Sequence, residues 1–246
     1  MGGDDVLAGL LRLPGVDAAA EAARAALGRV HRHRTNLRNW PTTAAESAVR
    51  GARSSSALDG GAIALTAGDD PVLAGALRVG TVVQGGTSTL VGVWRRAPRQ
   101  ALARLHALAA TGLVDAEHLG RPRPEPEVTA RLELLTRLVT AGGGAGAPVL
   151  AGAAHGELLS LAPFGSADGV VARAVSRLVT ITTGLDPHGL GVPEVFWMRR
   201  AEEYRAAAAG FATGDPEAVG AWLLMCCRAL EDGAREALSI AEAVTG

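Results

Sequence analysis

The sequence predicts a mostly α-helical domain with a single β-hairpin. Of its 246 residues, 48% are hydrophobic but only 3% are aromatic, so the interior must be built from Ala, Val and Leu, which suits closely packed helices. Apolar residues recur at helical spacing along most of the chain. Only one stretch pairs two β-leaning runs across a glycine turn.

Residues 1–40 are expected as an N-terminal helical extension and 41–246 as the main domain. The extension holds a short helix candidate, an alanine-rich helix at 17–29 offering a surface for homodimer formation, and the basic run His31-Arg32-His33-Arg34, read as a solvated helix end. Trp40-Pro41-Thr42-Thr43 predicts a turn into a helix capped by Thr42 or Thr43, with Glu46 placed for a capping box with Thr43. That helix is expected to run to Leu58 and stop at Gly60-Gly61. The runs ALRVGTVVQGG and TSTLVGVW, joined by Gly85-Gly86, form the hairpin expected at 77–94. Leu102, Leu105 and Leu108 mark a helix over 98–111. Alternating prolines make 120–127 an extended, stiff linker. Further helices are expected at about 127–140, where the glycine run 142–144 ends one, then from Pro148, over 170–183, at 193–209 and at 215–243.

Composition excludes several function classes. A formal net charge of −1 argues against general attraction to nucleic acid or anionic membrane. All 24 Lys-or-Arg positions are arginine, which removes Schiff-base chemistry and a P-loop lysine. Cys226 and Cys227 are neighbours in an apolar helical stretch and point to different sides, so no bridge is expected. Acids occupy the N-terminus where a signal peptide needs positive charge, and no apolar run reaches the roughly 20 residues of a membrane span. A cytoplasmic protein is expected. The six histidines show no metal-ligand spacing, and no metal site is expected.

Pro163-Phe164-Gly165-Ser166-Ala167-Asp168-Gly169 reads as a loop entering a helix. Glycines relax its backbone, Ser166 or Asp168 can cap, and the free N–H groups of the next helix turn attract an anion. Arg173, one turn in, adds a charged fork. On these residues alone an ordinary helix–loop–helix corner is the competing reading.

The loop resembles the signature of the Fic (Fido) family, His-Pro-Phe-x-Asp/Glu-Gly-Asn-Gly-Arg-x-x-Arg. Pro163, Phe164, Gly169 and Arg173 match it, whereas Ala162 falls on the histidine, Ser166 on the acidic position, Ala167 on the first glycine, Asp168 on the asparagine and Val170 on the first arginine. Upstream, Ser55-Ser56-Ala57-Leu58-Asp59-Gly60 resembles the family's inhibitory helix end, Ser-Ser-x-Ile-Glu-Gly, with aspartate for glutamate. The resemblance covers roughly 40–240 and implies a Fic-like helical fold with the 77–94 hairpin as its flap. In that family the hairpin docks a protein target as an added strand.

The resemblance further implies an anion or nucleotide pocket at 165–173, bordered by Phe164, Asp168, Gly169 and Arg173. An inhibitory pairing of Asp59 with Arg173, framed by Ser55 and Gly60, would fill it, and His155 falls on the helix that supports the loop. In active members the histidine is the general base, the acid holds magnesium and the arginines neutralise nucleotide phosphates. Ala162, Ser166 and Val170 can do none of these, so no catalytic residues are assigned, and ATP with magnesium is only weakly supported as a ligand. The leading expectation is a degenerate binding or regulatory module with a protein partner. The rival is a divergent nucleotidyl- or phosphoryl-transferase using Asp168, Arg173 and His155; a third is nucleic-acid binding through the Arg-rich segment 29–38, including Arg32 and Arg34.

Overall fold

The computed structural model describes residues 3–66, 69–84, 88–141 and 146–244. Among them the chain forms twelve α-helices and no β-strand: α1 (Gly3–Leu11), α2 (Val16–Arg32), α3 (Arg34–Leu58), α4 (Pro71–Val82), α5 (Thr89–Arg96), α6 (Pro98–Ala110), α7 (Pro126–Thr140), α8 (Ala147–Leu161), α9 (Asp168–Thr182), α10 (Pro193–Arg199), α11 (Ala201–Ala212) and α12 (Pro216–Ala243). None of these helices is long and apolar enough to cross a membrane.

α8 and α9 form the centre. α8 is buried on nearly every side, as a helix without a polar stripe must be. Its small residues let neighbours approach closely: a Cβ on Gly156 would stand 2.7 Å from Trp222 Nε1 and 2.8 Å from the Phe211 ring. α2 and α12 pack on each other and on α8, while α3, α4, α5 and α6 pack on α9. The side chains of α2, from Val16 to Val30, join the same core.

The expected hairpin is absent. Its two runs belong to α4 and α5, and the Gly85-Gly86 junction lies outside the described residues, as does the glycine run 142–144. Asp70 caps α4 by accepting the Leu73 N–H at 2.8 Å, and Pro71 supplies a preformed first turn. Leu73, Ala76, Val79 and Val83 then bury at helical spacing. Ser88 caps α5, and Leu90, Val91 and Trp94 bury. Capping and burial together override the β preference of Val and Thr.

Two smaller expectations also change. α3 starts at Arg34 and kinks at Asn39 (φ −137°, ψ 31°), just before Pro41. Thr43 caps nothing: its hydroxyl donates to Asn36 Oδ1 at 2.8 Å, and Glu46 pairs with Arg50 instead. In the basic run, Arg32 and Arg34 are exposed but His31 meets the buried Asp186 at 2.9 Å.

Candidate functional site

α8 ends because Ala162 turns left-handed (φ 43°, ψ 60°), and Gly165 and Ala167 repeat the positive φ before α9 begins. Two alanines in this region cost of order 1 kcal/mol each, so the loop must be held from outside. Arg123, from the proline-rich segment, provides the strap: its Nε and Nη2 donate to the Ala162 and Leu161 carbonyls at 3.1 Å each, and its backbone N–H donates to the Pro163 carbonyl at 2.8 Å. Phe164 stacks on His106 with centroids 4.1 Å apart. Neither Ser166 nor Asp168 caps α9, because Ala167 occupies the cap position. Asp168 reaches back to accept the Phe164 N–H at 3.0 Å, and Ser166 turns to His106 Nε2 at 3.1 Å.

Across from the loop, the C-terminus of α3 brings Asp59 over the first turn of α9. Asp59 Oδ1 lies 2.8 Å from Arg173 Nη2. Arg173 also donates to Ser55 Oγ (2.7 Å), the Ser55 carbonyl (3.0 Å) and Tyr204 Oη (3.3 Å), so its buried charge is fully partnered. The close approach depends on Gly169, where a Cβ would stand 2.4 Å from Asp59 Oδ1 and 2.6 Å from Oδ2. Gly60, at φ +83°, turns the chain away behind Asp59, and Arg205 donates to the Leu58 carbonyl at 3.1 Å. Asp59 thus places a carboxylate where the α9 N-terminus attracts an anion.

Beside this pair opens a cleft of about 370 Å³, lined by Asp59, Val72, Ala109, Leu113 and the loop residues 165–170. Burial pushes the Asp168 carboxyl up to about 6; backbone N–H groups oppose that shift and the nearby Asp59 charge adds to it. Val170 is buried and Ser166 is spoken for.

Two histidines stand near the loop, and neither is arranged as a base. The Gly120 N–H donates to His106 Nδ1 at 2.9 Å, so the neutral ring carries its proton on Nε2 and donates to Ser166 Oγ, the reverse of what would activate that hydroxyl. Burial lowers the His106 pKa. His155 is sealed in the core, with Nε2 2.8 Å from Tyr204 Oη and its ring edge-on to Trp197 and Trp222. Burial, then the Arg173 charge, holds its pKa well below the ordinary range. Cys226 and Cys227 are free, buried thiols pushed upward by burial. No group of three His, Cys, Asp or Glu side chains suited to a metal ion occurs among the described residues.

The structure therefore brings Ser55, Asp59, Gly169 and Arg173 together, sets Phe164 and Asp168 within the loop, and places His155 behind Arg173 through Tyr204. His106, Arg123 and Tyr204 are site residues that sequence reasoning missed. The only available signals were Tyr204 as the single tyrosine and a histidine within the Leu102–Leu105 face of α6.

No family model matches the sequence, and neither does any curated protein. Among solved structures, a Fic family protein from Desulfovibrio desulfuricans G20 is similar, with a TM-score of 0.67 and 18% identity over 92% of this chain and 74% of that one. Identity that low speaks for architecture alone, and it leads to one conclusion: this chain has a Fic-like fold.

Proposed function

We propose that this chain is a catalytically degenerate Fic-like domain that works as a binding or regulatory module, with its old nucleotide cleft latched from inside by Asp59. The observation that supports this most directly is the Asp59 carboxylate, seated over Gly169 and paired with Arg173 at 2.8 Å. Held this way, the cleft does not fit the phosphates of ATP with a magnesium ion. An internal carboxylate already occupies the helix N-terminus, Arg173 and Arg123 spend their donors on protein acceptors, and Asp168 is tied to the Phe164 N–H. Neither the signature position nor the nearest histidine is set to take a proton from a target hydroxyl, since Ala162 has no group to accept it and His106 donates to Ser166. A partner protein would dock through side chains, because the described residues of 77–94 are helical in α4 and α5 and offer no open strand edge.

One observation favours the transferase reading built on Asp168 and Arg173: a carboxyl raised to about 6 on the cleft wall can exchange its proton near neutrality. Calorimetric titration of ATP, with and without magnesium, into the wild type and Asp59→Ala decides between the two. The expected outcome is binding by the variant only. Magnesium-dependent binding by the wild type would overturn the latch and favour the transferase reading, and no binding by either protein would rule out a latent nucleotide pocket.

A further inference from the structure

A second cavity, of about 710 Å³, lies on the outer side of α8, between α1, α7 and the α11–α12 corner. Its walls include Leu10 of α1, Leu134 and Leu138 of α7, Phe211 of α11 and Val219 of α12. Leu134 is 56% exposed, so this apolar surface is open to solvent.

Charge at the edge of the groove is asymmetric. Arg131 forks onto Glu157 at 2.8 and 2.9 Å, with Ser160 Oγ at 3.3 Å, and also meets Glu127 at 3.7 Å, so two carboxylates face this one guanidinium. Arg137 also lines the groove but forms no ion pair or side-chain hydrogen bond among the described residues. The groove therefore combines an apolar body with an acid-rich end at Arg131 and an unpaired guanidinium at Arg137. A volume of 710 Å³ is that of a small-ligand site. Its fifteen lining residues fall short of the roughly 20–30 a side that a stable protein interface engages.

We infer that this groove binds a free single-chain amphiphile with an anionic head, an alkyl carboxylate. The tail lies against Leu134, Leu138 and Phe211, and the carboxylate reaches Arg137. The site is separate from the Asp59 latch, so its test is independent of the ATP titration.

Dodecanoate, held below its micelle concentration, is titrated into the full chain and followed by calorimetry and tryptophan fluorescence, with dodecanol and dodecyltrimethylammonium as controls. Dodecanoate is expected to bind one-to-one and more tightly than either control. Arg137→Gln should weaken it about 2- to 5-fold, as loss of one exposed ion pair does, and leave dodecanol unchanged. Leu134→Asp, at an exposed position where the circular dichroism is expected to stay as in the wild type, should weaken both. Several results would overturn the inference: no saturable dodecanoate binding, equal affinity for the trimethylammonium analogue, or no response to Arg137→Gln. Binding to phosphatidylglycerol vesicles without dodecanoate binding would also overturn it, in favour of a lipid surface. A dimer dissolved by Leu134→Asp, again without dodecanoate binding, would overturn it in favour of a second copy of the chain.

Discussion

Arg173 and Arg177 stand one turn apart on α9, both buried and each facing one carboxylate, yet the two pairs are built differently. Arg177 Nη2 donates to both oxygens of Glu194 at 3.2 and 3.0 Å and Nη1 donates to the Gly189 carbonyl; the acid, at 6% exposure, is as buried as the arginine. Arg173 is 2% exposed, but Asp59 is 24% exposed, sits at a helix end on the rim of a cleft and makes one contact at 2.8 Å. If Glu194 left, Arg177 would keep a single carbonyl. If Asp59 left, Arg173 would still hold Ser55 twice and Tyr204 once. The same residue on the same helix can thus be a fixed fastener or one half of a latch, depending on whether its acid comes from the core or from an edge.

Breaking the fastener should have the largest effect. Glu194→Ala strands the Arg177 charge in the core and is expected to cost about 3–5 kcal/mol, read as a lowered urea midpoint at unchanged m-value. Asp59→Ala should cost less, about 1–2 kcal/mol, because its contact is partly solvated and Arg173 stays partnered. Equal losses would break the comparison.

Gly169→Ala sharpens it through a change of sign. An added methyl in a helix normally stabilises by up to about 1 kcal/mol, but here it would stand 2.4 Å from Asp59 Oδ1 and push the latch off Arg173. Gly169→Ala should therefore destabilise the wild type and stabilise Asp59→Ala, with a coupling of about 1–2 kcal/mol in a double-mutant cycle. Additive effects would mean that Asp59 does not rest on Gly169.

How much of this can be read in the sequence depends on how far apart along the chain the cause and its effect lie. α6, α7 and α12 are legible because each residue records its burial at three- and four-residue spacing. α4 is misread because ALRVGTVV carries β preference, although the competing signal, Asp70-Pro71 followed by Leu73, Ala76 and Val79, stands just before it. Asp59 and Arg173 are legible as motif positions, and Phe164 likewise. The contacts that hold the loop and Arg173 in place are not: His106 reaches Ser166 across 60 residues, Arg123 reaches Ala162 across 39, and Arg173 reaches Tyr204 across 31. No local pattern encodes those meetings, which exist only once α6, the proline-rich segment and α11 are packed.

The smallest expected effect concerns Asp168, whose charge lies beside Asp59 on the Arg173 side and has no counterpart beside Glu194. Burial and the Asp59 charge raise its carboxyl from 3.8 to about 6, so the folded state holds this proton more tightly than the unfolded chain does. The stability it contributes is present in full below about pH 4 and is lost as pH rises through about 6. Asp168→Asn keeps an oxygen for the Phe164 N–H and removes the titration. The variant should be more stable than wild type at pH 8 by about 1 kcal/mol, after allowance for the solvent that reaches this half-buried group, and the gain should vanish by pH 4. Because burial is the main cause and the Asp59 charge a lesser one, the gain should shrink only slightly in an Asp59→Ala background and persist in Arg177→Met. Thermal denaturation across that pH range measures both, and a pH-independent gain would place the effect of Asp168 in packing rather than in charge.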